Sequence, residues 1–500
     1  MDVRLEHGEK TMRKQTLSLL YVLGSGAVVA GGCSSDSEPD EEIGPGISHG
    51  DGDGDGDGDG DGDGDGDGVI RLDAGVNTAE EDGCGGDGTC ALIDLLFVID
   101  NSGTMGEEQA NLAANFPGLI EKLRNLTDSA GNPVDPNVNI MVTTTDLGHP
   151  VCAGYQPAGY EPAKGAPVAK ACIDRPNDFV GLGDNPDNFF DAACGAACPT
   201  AVEPSDPFIH FEGPDAGETN VPNDDLAGAM SCIGPQGING CGYEAPLEAM
   251  MQAINPSADW NDQEGTHFLR DGAILAIAFV TDEADCSVAS PDGYAYFSEN
   301  DEFWEVNPNS GTKSNPTSAV CWNAGVSCDE PNADGTYDNC TSSTSGVLHP
   351  ISRYADYLKT ELIEKRNKRV IMLGILGIPE VTEHNENAPF EPTAGGIEDL
   401  VYRQWNGDAW ADGGDILPGD PGTAATKKWD FGIGPGCTGE DGSGGFTGQA
   451  IPPVRIKELC QSLDEEDTVR CCLESICDTD FTPAINCLAG IIQNEIPPAQ

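Results

Sequence analysis

The sequence predicts an α/β protein of doubly wound type, with a mostly parallel sheet interrupted by long, disulfide-rich insertions. Three observations lead there. Four short runs read as strands buried on both faces, at 92–99 (LIDLLFVI), 138–144 (VNIMVTT), 274–280 (ILAIAFV) and 370–376 (VIMLGIL). Helical periodicity falls between them, and this alternation builds a parallel sheet through right-handed crossovers that leave helices on both faces. Polar, cysteine-bearing segments at about 150–230, 286–345 and 380–480 separate the elements. They are read as disulfide-pinned loops, too polar to form further layers.

The elements follow in order. Met12-Arg13-Lys14 opens a basic stretch, Thr16 to Ala30 is apolar or small, and Ala30-Gly31-Gly32-Cys33 closes it. That is the shape of a secretory signal, too short and glycine-rich to span a bilayer. Residues 1–11 carry acids, so Met12 makes the better start. The closing residues resemble the bacterial lipoprotein signal, with Ala30 where Leu is usual. The resemblance implies diacylglycerol on the Cys33 thiol and membrane attachment through that anchor alone. Ser34, rather than Asp, after the cysteine resembles lipoproteins sent to the outer membrane.

Residues 34–83 read as a linker, since 50–68 is a strict Gly-Asp alternation with nothing apolar to bury. Glycine makes it flexible and like charge extends it. Asp51, Asp53, Asp55 and Gly56 match the start of an EF-hand loop, but the closing Glu and the flanking helices are missing. The globular part is expected over 84–493, with 494–500 as a tail. Its first helix, 107–123, carries Leu112, Phe116, Ile120 and Leu123 on one face, and Pro117 should kink it. A second is expected over 246–254. A third, 349–368, has Pro350 in its first turn, an Ile351, Tyr354, Leu358, Leu362 stripe, and Lys365, Arg366 and Lys368 at its negative end. The last is 483–492.

The net charge of -62, from 24 Lys and Arg against 86 Asp and Glu, excludes nucleic acid as a partner and any basic docking on anionic lipid. Nineteen cysteines suit an oxidising compartment, and setting Cys33 aside leaves 18. Cys84/Cys90, Cys194/Cys198, Cys232/Cys241 and Cys328/Cys340 are near enough to close small loops, and Cys460, Cys471, Cys472, Cys477 and Cys487 cluster. Zinc at Cys194 and Cys198 is the alternative to a disulfide. There is no His-Glu-x-x-His, Gly-x-Ser-x-Gly or Walker pattern. His149, His210 and His349 read as surface or capping residues, and Trp304, Trp322, Trp405 and Trp410 as packing anchors.

Ligands of open α/β sheets bind beyond the carboxyl ends of the strands. The first strand runs into Asp100-Asn101-Ser102-Gly103-Thr104, and the 274–280 strand runs into Thr281-Asp282-Glu283. Asp100, Ser102 and Thr104 alternate along one turn, so their oxygens can converge on a hard cation, with Asp282 holding a coordinated water. An apolar strand entering Asp-x-Ser-x-Thr, with a later strand entering Thr-Asp, resembles the von Willebrand factor A domain. The resemblance spans Leu92 to Leu376, without the insertions. It implies a metal-ion-dependent adhesion site: Asp100, Ser102 and Thr104 in the first loop, Asp282 in the third, Mg²⁺ as the ion, and a partner's carboxylate completing the coordination. The second-loop threonine is absent. Glu244 is the nearest oxygen donor there, either a ligand that shifts preference toward Mn²⁺ or Ca²⁺ or a cap on the following helix. Asp146 is a weaker candidate, and Glu283 and Asp285 read as neighbouring charges. The expected function is a non-enzymatic envelope lipoprotein that binds a protein or other acidic ligand. The alternatives are a static disulfide-stapled envelope protein and, last, a secreted hydrolase.

Overall fold

The computed structural model describes residues 90–181, 188–214, 217–262, 267–289, 292–440, 445–465 and 468–498. The expected export signal with Cys33, the Gly-Asp stretch and Cys84 lie outside the described residues. No helix among the described residues is long and apolar enough to cross a membrane.

The architecture is mixed α/β around a seven-stranded, mostly parallel sheet. In chain order its strands are β1 (Cys90–Ile99), β2 (Asp135–Thr144), β3 (Ile209–Glu212), β4 (Glu218–Thr219), β5 (Ile274–Val280), β6 (Arg369–Leu376) and β7 (Cys471–Ser475). Across the sheet they lie β7-β6-β5-β1-β2-β3-β4. Neighbours from β7 through β2 are parallel; β3 and β4 add antiparallel at the edge. The chain thus winds from β1 to β2 on one side, then returns to lay β5 on the other. In folds wound this way ligands bind where the winding reverses, here beyond the ends of β1 and β5.

Both faces are covered, which explains why the central strands show no polar alternation. Ile93, Leu95, Phe97 and Ile99 of β1 pack with α1 (Gly106–Arg124), α2 (Leu226–Ile233) and the Thr482–Glu495 helix. Leu96 and Val98 face α3 (Pro246–Ala253) and the Ile351–Asp356 and Val454–Gln461 helices. Phe116 meets Phe97 edge to face at 5.7 Å, a contact worth about 0.5–1.5 kcal/mol beyond its buried area. It fixes α1 against β1 and so aims the start of α1 at that reversal. α1 continues through Pro117. The third expected helix is α-helical only over Ile351–Asp356 and π-helical over Tyr357–Glu364, with Tyr354, Leu358 and Leu362 buried.

Two expectations are corrected. The insertions are not only loops: 150–230 supplies β3 and β4, and 380–480 supplies β7 and the Val454–Gln461 helix. β7 (CCLES) has one aliphatic residue, and its cysteines and buried glutamate hide it from a hydrophobicity pattern. Of the short cysteine pairings, Cys328–Cys340 forms, Cys194/Cys198 and Cys232/Cys241 do not, and Cys84/Cys90 falls on a cysteine outside the described residues. Cys194 joins Cys172, Cys198 joins Cys232, and Cys241 joins Cys152 across 89 residues. Longer loops cost little extra closure entropy, so proximity in sequence is weak guidance. Cys286–Cys321, Cys437–Cys477, Cys460–Cys471 and Cys472–Cys487 complete the bridges described. This density is consistent with an extracytoplasmic protein.

Candidate metal centre

β1 delivers Asp100 to the point of reversal, where its backbone N–H donates to the Val280 carbonyl of β5 at 2.9 Å. The chain then turns sharply. The Ser102 N–H donates to Asp100 Oδ1 at 2.7 Å, and the Thr281 hydroxyl, just past β5, donates to Asp100 Oδ2 at 2.6 Å. The Ser102 and Thr104 hydroxyls stand 3.2 Å apart. Thr104 lies close enough to Asp282, and Glu244 to Asp100, to bear on the ionisation of each carboxyl. Asp100, Ser102, Thr104, Asp282 and Glu244, named from three separate stretches of sequence, therefore meet at one rim. Asp100, Ser102, Asp282 and Glu244 are buried; Thr104 is half-buried beside exposed Gly103, which marks the outlet.

Glu244 does not cap α3. The α3 N-terminus receives Asp285 Oδ1 on the Leu247 N–H at 3.2 Å and Ser287 Oγ on the Glu248 N–H at 3.0 Å. Glu244 instead accepts the Thr145 hydroxyl on Oε2 and leaves Oε1 buried without a partner. Asp285 also pairs with Arg455 at 2.8 Å, so its charge is used. Asp146 is likewise occupied, accepting from Gly148 N, Gln156 Nε2, Tyr160 OH and Cys241 N. It braces the loop carrying Glu244, with three of these donors on Oδ2 and one on Oδ1.

The electrostatics are one-sided. Burial pushes Asp100 up to about 6 and Asp282, with Asp100 close by, up to about 7. Glu244 and Glu283 are driven well above the usual carboxylate range by burial and then by neighbouring acids. Glu108, on the first turn of α1, behaves the same way under burial and the Asp282 charge. Among the described residues none of these five pairs with a lysine or arginine. Asp282 Oδ1 and Glu108 Oε2 join Glu244 Oε1 as buried oxygens without a donor. Such acids need protons or a cation.

The donors suit a hard divalent ion, being hydroxyl and carboxylate oxygens only. Adjacent ligands on an octahedron with bonds of about 2.0–2.1 Å lie about 3 Å apart, close to the Ser102–Thr104 spacing. The sulfur-rich groups offer no comparable site. Cys172, Cys194 and Cys198 gather, as do Cys472 and Cys487 beside Glu474, but all five sulfurs are in disulfides. A disulfide sulfur is not the thiolate that zinc requires, which removes the zinc alternative at Cys194 and Cys198.

Four neighbours had no role assigned in the sequence reading. Gln109 holds the floor: its Nε2 donates to the Asp100 and Gly237 carbonyls, and its Oε1 accepts the Gln236 and Gly237 N–H groups. Thr145 and Thr281 orient Glu244 and Asp100. Gly240 closes the roof, its N–H 2.6 Å from the Asn101 carbonyl; a Cβ there would stand 2.3 Å from Asn101 Oδ1. His149, expected at the surface or as a cap, is buried against the Tyr243, Tyr294 and Phe297 rings and accepts the Val151 N–H on Nδ1, and burial lowers it to about 4.

Compared with known proteins, the chain matches no family model, no curated protein and no solved structure.

Proposed function

We propose that this chain is an envelope lipoprotein of von Willebrand factor A type that binds a protein or other acidic ligand through a divalent cation. Numbered without the two-residue β4, the strand order becomes 3-2-1-4-5-6, the doubly wound order, with the antiparallel β3 as a variation. The observation that carries the reading is the meeting of Asp100, Ser102, Thr104, Asp282 and Glu244 where that fold binds ligands, with buried acids lacking a protein cation. Ser102 and Thr104 would offer hydroxyls, Asp100, Asp282 and Glu244 carboxylates, directly or through water. The ion would supply a Lewis-acidic position for a partner's oxygen. A carboxylate at 244 in place of a threonine favours Mn²⁺ or Ca²⁺ over Mg²⁺, which demands a stricter octahedron.

Isothermal titration of the chelator-stripped chain with Mn²⁺, Ca²⁺ and Mg²⁺ tests this. Saturation at 100 times Kd should add about 2.7 kcal/mol of stability. Asp100→Ala should abolish both the binding heat and that gain with the fold intact. Undiminished binding in the variant removes the site.

The disulfides favour a second reading, a stapled envelope protein that works without metal. It requires function to persist in EDTA.

A further inference from the structure

One side of the rim is held by a separate piece of chain. The strands Cys437–Glu440 and Phe446–Ala450 pair antiparallel as a hairpin outside the central sheet. Just past the hairpin, the Ile451 N–H donates to the Asp282 carbonyl at 2.7 Å, so the backbone of a rim carboxylate is fixed from there. On the same strand, a Cβ on Gly448 would stand 3.4 Å from Glu108 Oε1, which places the hairpin against the first turn of α1. Cys437 pairs in register with Ala450, the residue before Ile451, and is bonded to Cys477, two residues past β7. That stretch is anchored in turn, because Asn111 Nδ2 of α1 donates to the Asp478 carbonyl at 2.8 Å. The Cys437–Cys477 bridge therefore lies beside the hydrogen bond that holds Asp282.

This bridge also differs from the others. Among the bridges described, it alone has neither cysteine buried; Cys340 of the Cys328–Cys340 bridge is buried, and every other bridge is buried at both ends. A disulfide opens when a thiolate reaches one of its sulfurs, so exposed bridges are the labile ones.

We propose that Cys437–Cys477 is a redox latch on the rim. Closed, it holds the hairpin and, through Ile451, the Asp282 backbone; opened by a dithiol, it lets both loosen. The proposal rests on the reading of the ion and names how that site is regulated. A thiolate of the dithiol attacks one sulfur of the bridge, and its second thiol resolves the mixed disulfide. Two electrons and two protons pass, leaving Cys437 and Cys477 as thiols and the reagent as a disulfide. The buried bridges stay closed, so the fold persists while the rim changes.

The test treats the oxidised full chain with increasing dithiothreitol in native buffer, traps free thiols with iodoacetamide, and orders them by peptide mass spectrometry. Cys437 and Cys477 should be labelled before the cysteines of the other bridges described. At that stage hydrogen exchange at the Ile451 amide should be faster by about tenfold or more. With the reagent removed, Mn²⁺ affinity by isothermal titration should be weaker by about tenfold. Reoxidation of an unalkylated sample should restore both. The paired substitution Cys437→Ser and Cys477→Ser should show both changes and no response to dithiol. Should that variant not fold, the reduced wild type carries the test. Another described bridge opening first, or unchanged Ile451 exchange with both thiols labelled, overturns the latch. So does faster exchange with unchanged Mn²⁺ affinity, and so does loss of the near-ultraviolet circular dichroism signal when this bridge alone opens, which makes it a staple. An oxidised chain that binds no Mn²⁺ overturns the ion reading instead, and the two failures are distinct because labelling order and Ile451 exchange need no metal.

Discussion

The two ends of the central sheet bury charge in opposite ways. Near the strand starts, Asp94 of β1 lies between Arg270, which precedes β5, and Lys368, which precedes β6. Arg270 Nε is 2.8 Å from Asp94 Oδ1, and Lys368 Nζ is 3.1 Å from Oδ2. Arg270 spends its other donors on the Ile93 and Asn137 carbonyls and the Asn137 side chain, and Lys368 reaches the Arg270 carbonyl. At the strand ends, Asp100, Glu108, Glu244, Asp282 and Glu283 are just as buried and, among the described residues, have no cation. Burying an ion costs several kcal/mol unless partners compensate. The lower cluster carries its own compensation and is finished when the chain folds. The upper one lacks it, as expected of a site completed from outside.

The largest expected effect breaks the lower end. Asp94→Ala strands two buried cations and should cost about 3–5 kcal/mol, read as a lower denaturation midpoint, while Mn²⁺ affinity of the folded fraction stays unchanged. A loss under about 1 kcal/mol would mean the two ends do not differ as described.

The pH response should separate them next. Raised carboxyl pKa values in the fold mean that the protonated form is the one the fold favours. Stability from Asp100 and Asp282 is therefore fully present below their ordinary value of 3.8 and lost as pH rises through about 6 and about 7. The metal-free melting temperature should fall between pH 5 and pH 8, and Mn²⁺ should cancel the fall while releasing protons. A metal-free chain that grows more stable across that range would contradict the uncompensated rim.

The smallest effect sharpens the assignment of Glu244. Ser287 caps α3 and bonds Asp285 at 2.6 Å. Ser287→Ala should cost about 1 kcal/mol in thermal denaturation and leave cation binding alone. Weakened binding would tie the cap to the site.

Much of the sheet was legible because parallel strands buried on both faces leave unbroken apolar runs. Ile274–Val280 was readable to the residue, and β1 and β6 within two. β3, four residues paired to β2 and β4, and β7, a short edge strand, were not, because their partners, not their composition, define them. The site loops were legible because Asp100 and Asp282 directly follow such runs. Glu108 was missed although its signal was present: it precedes Leu112, Phe116 and Ile120 at four-residue steps, an acid on the buried stripe. In a first helical turn an acid reads as complementing the helix dipole, and that explanation masked its burial. The role of Glu244 needed the structure, because only there do Asp285 and Ser287 take the cap.

A crystal of the full chain grown with Mn²⁺ and measured at the manganese absorption edge tests the central claim most directly. The account expects an anomalous peak among the Ser102 and Thr104 hydroxyls and the Asp100, Asp282 and Glu244 carboxylates. A rim that stays free of manganese at saturating Mn²⁺, with those acids in contact only with one another and with water, would contradict it.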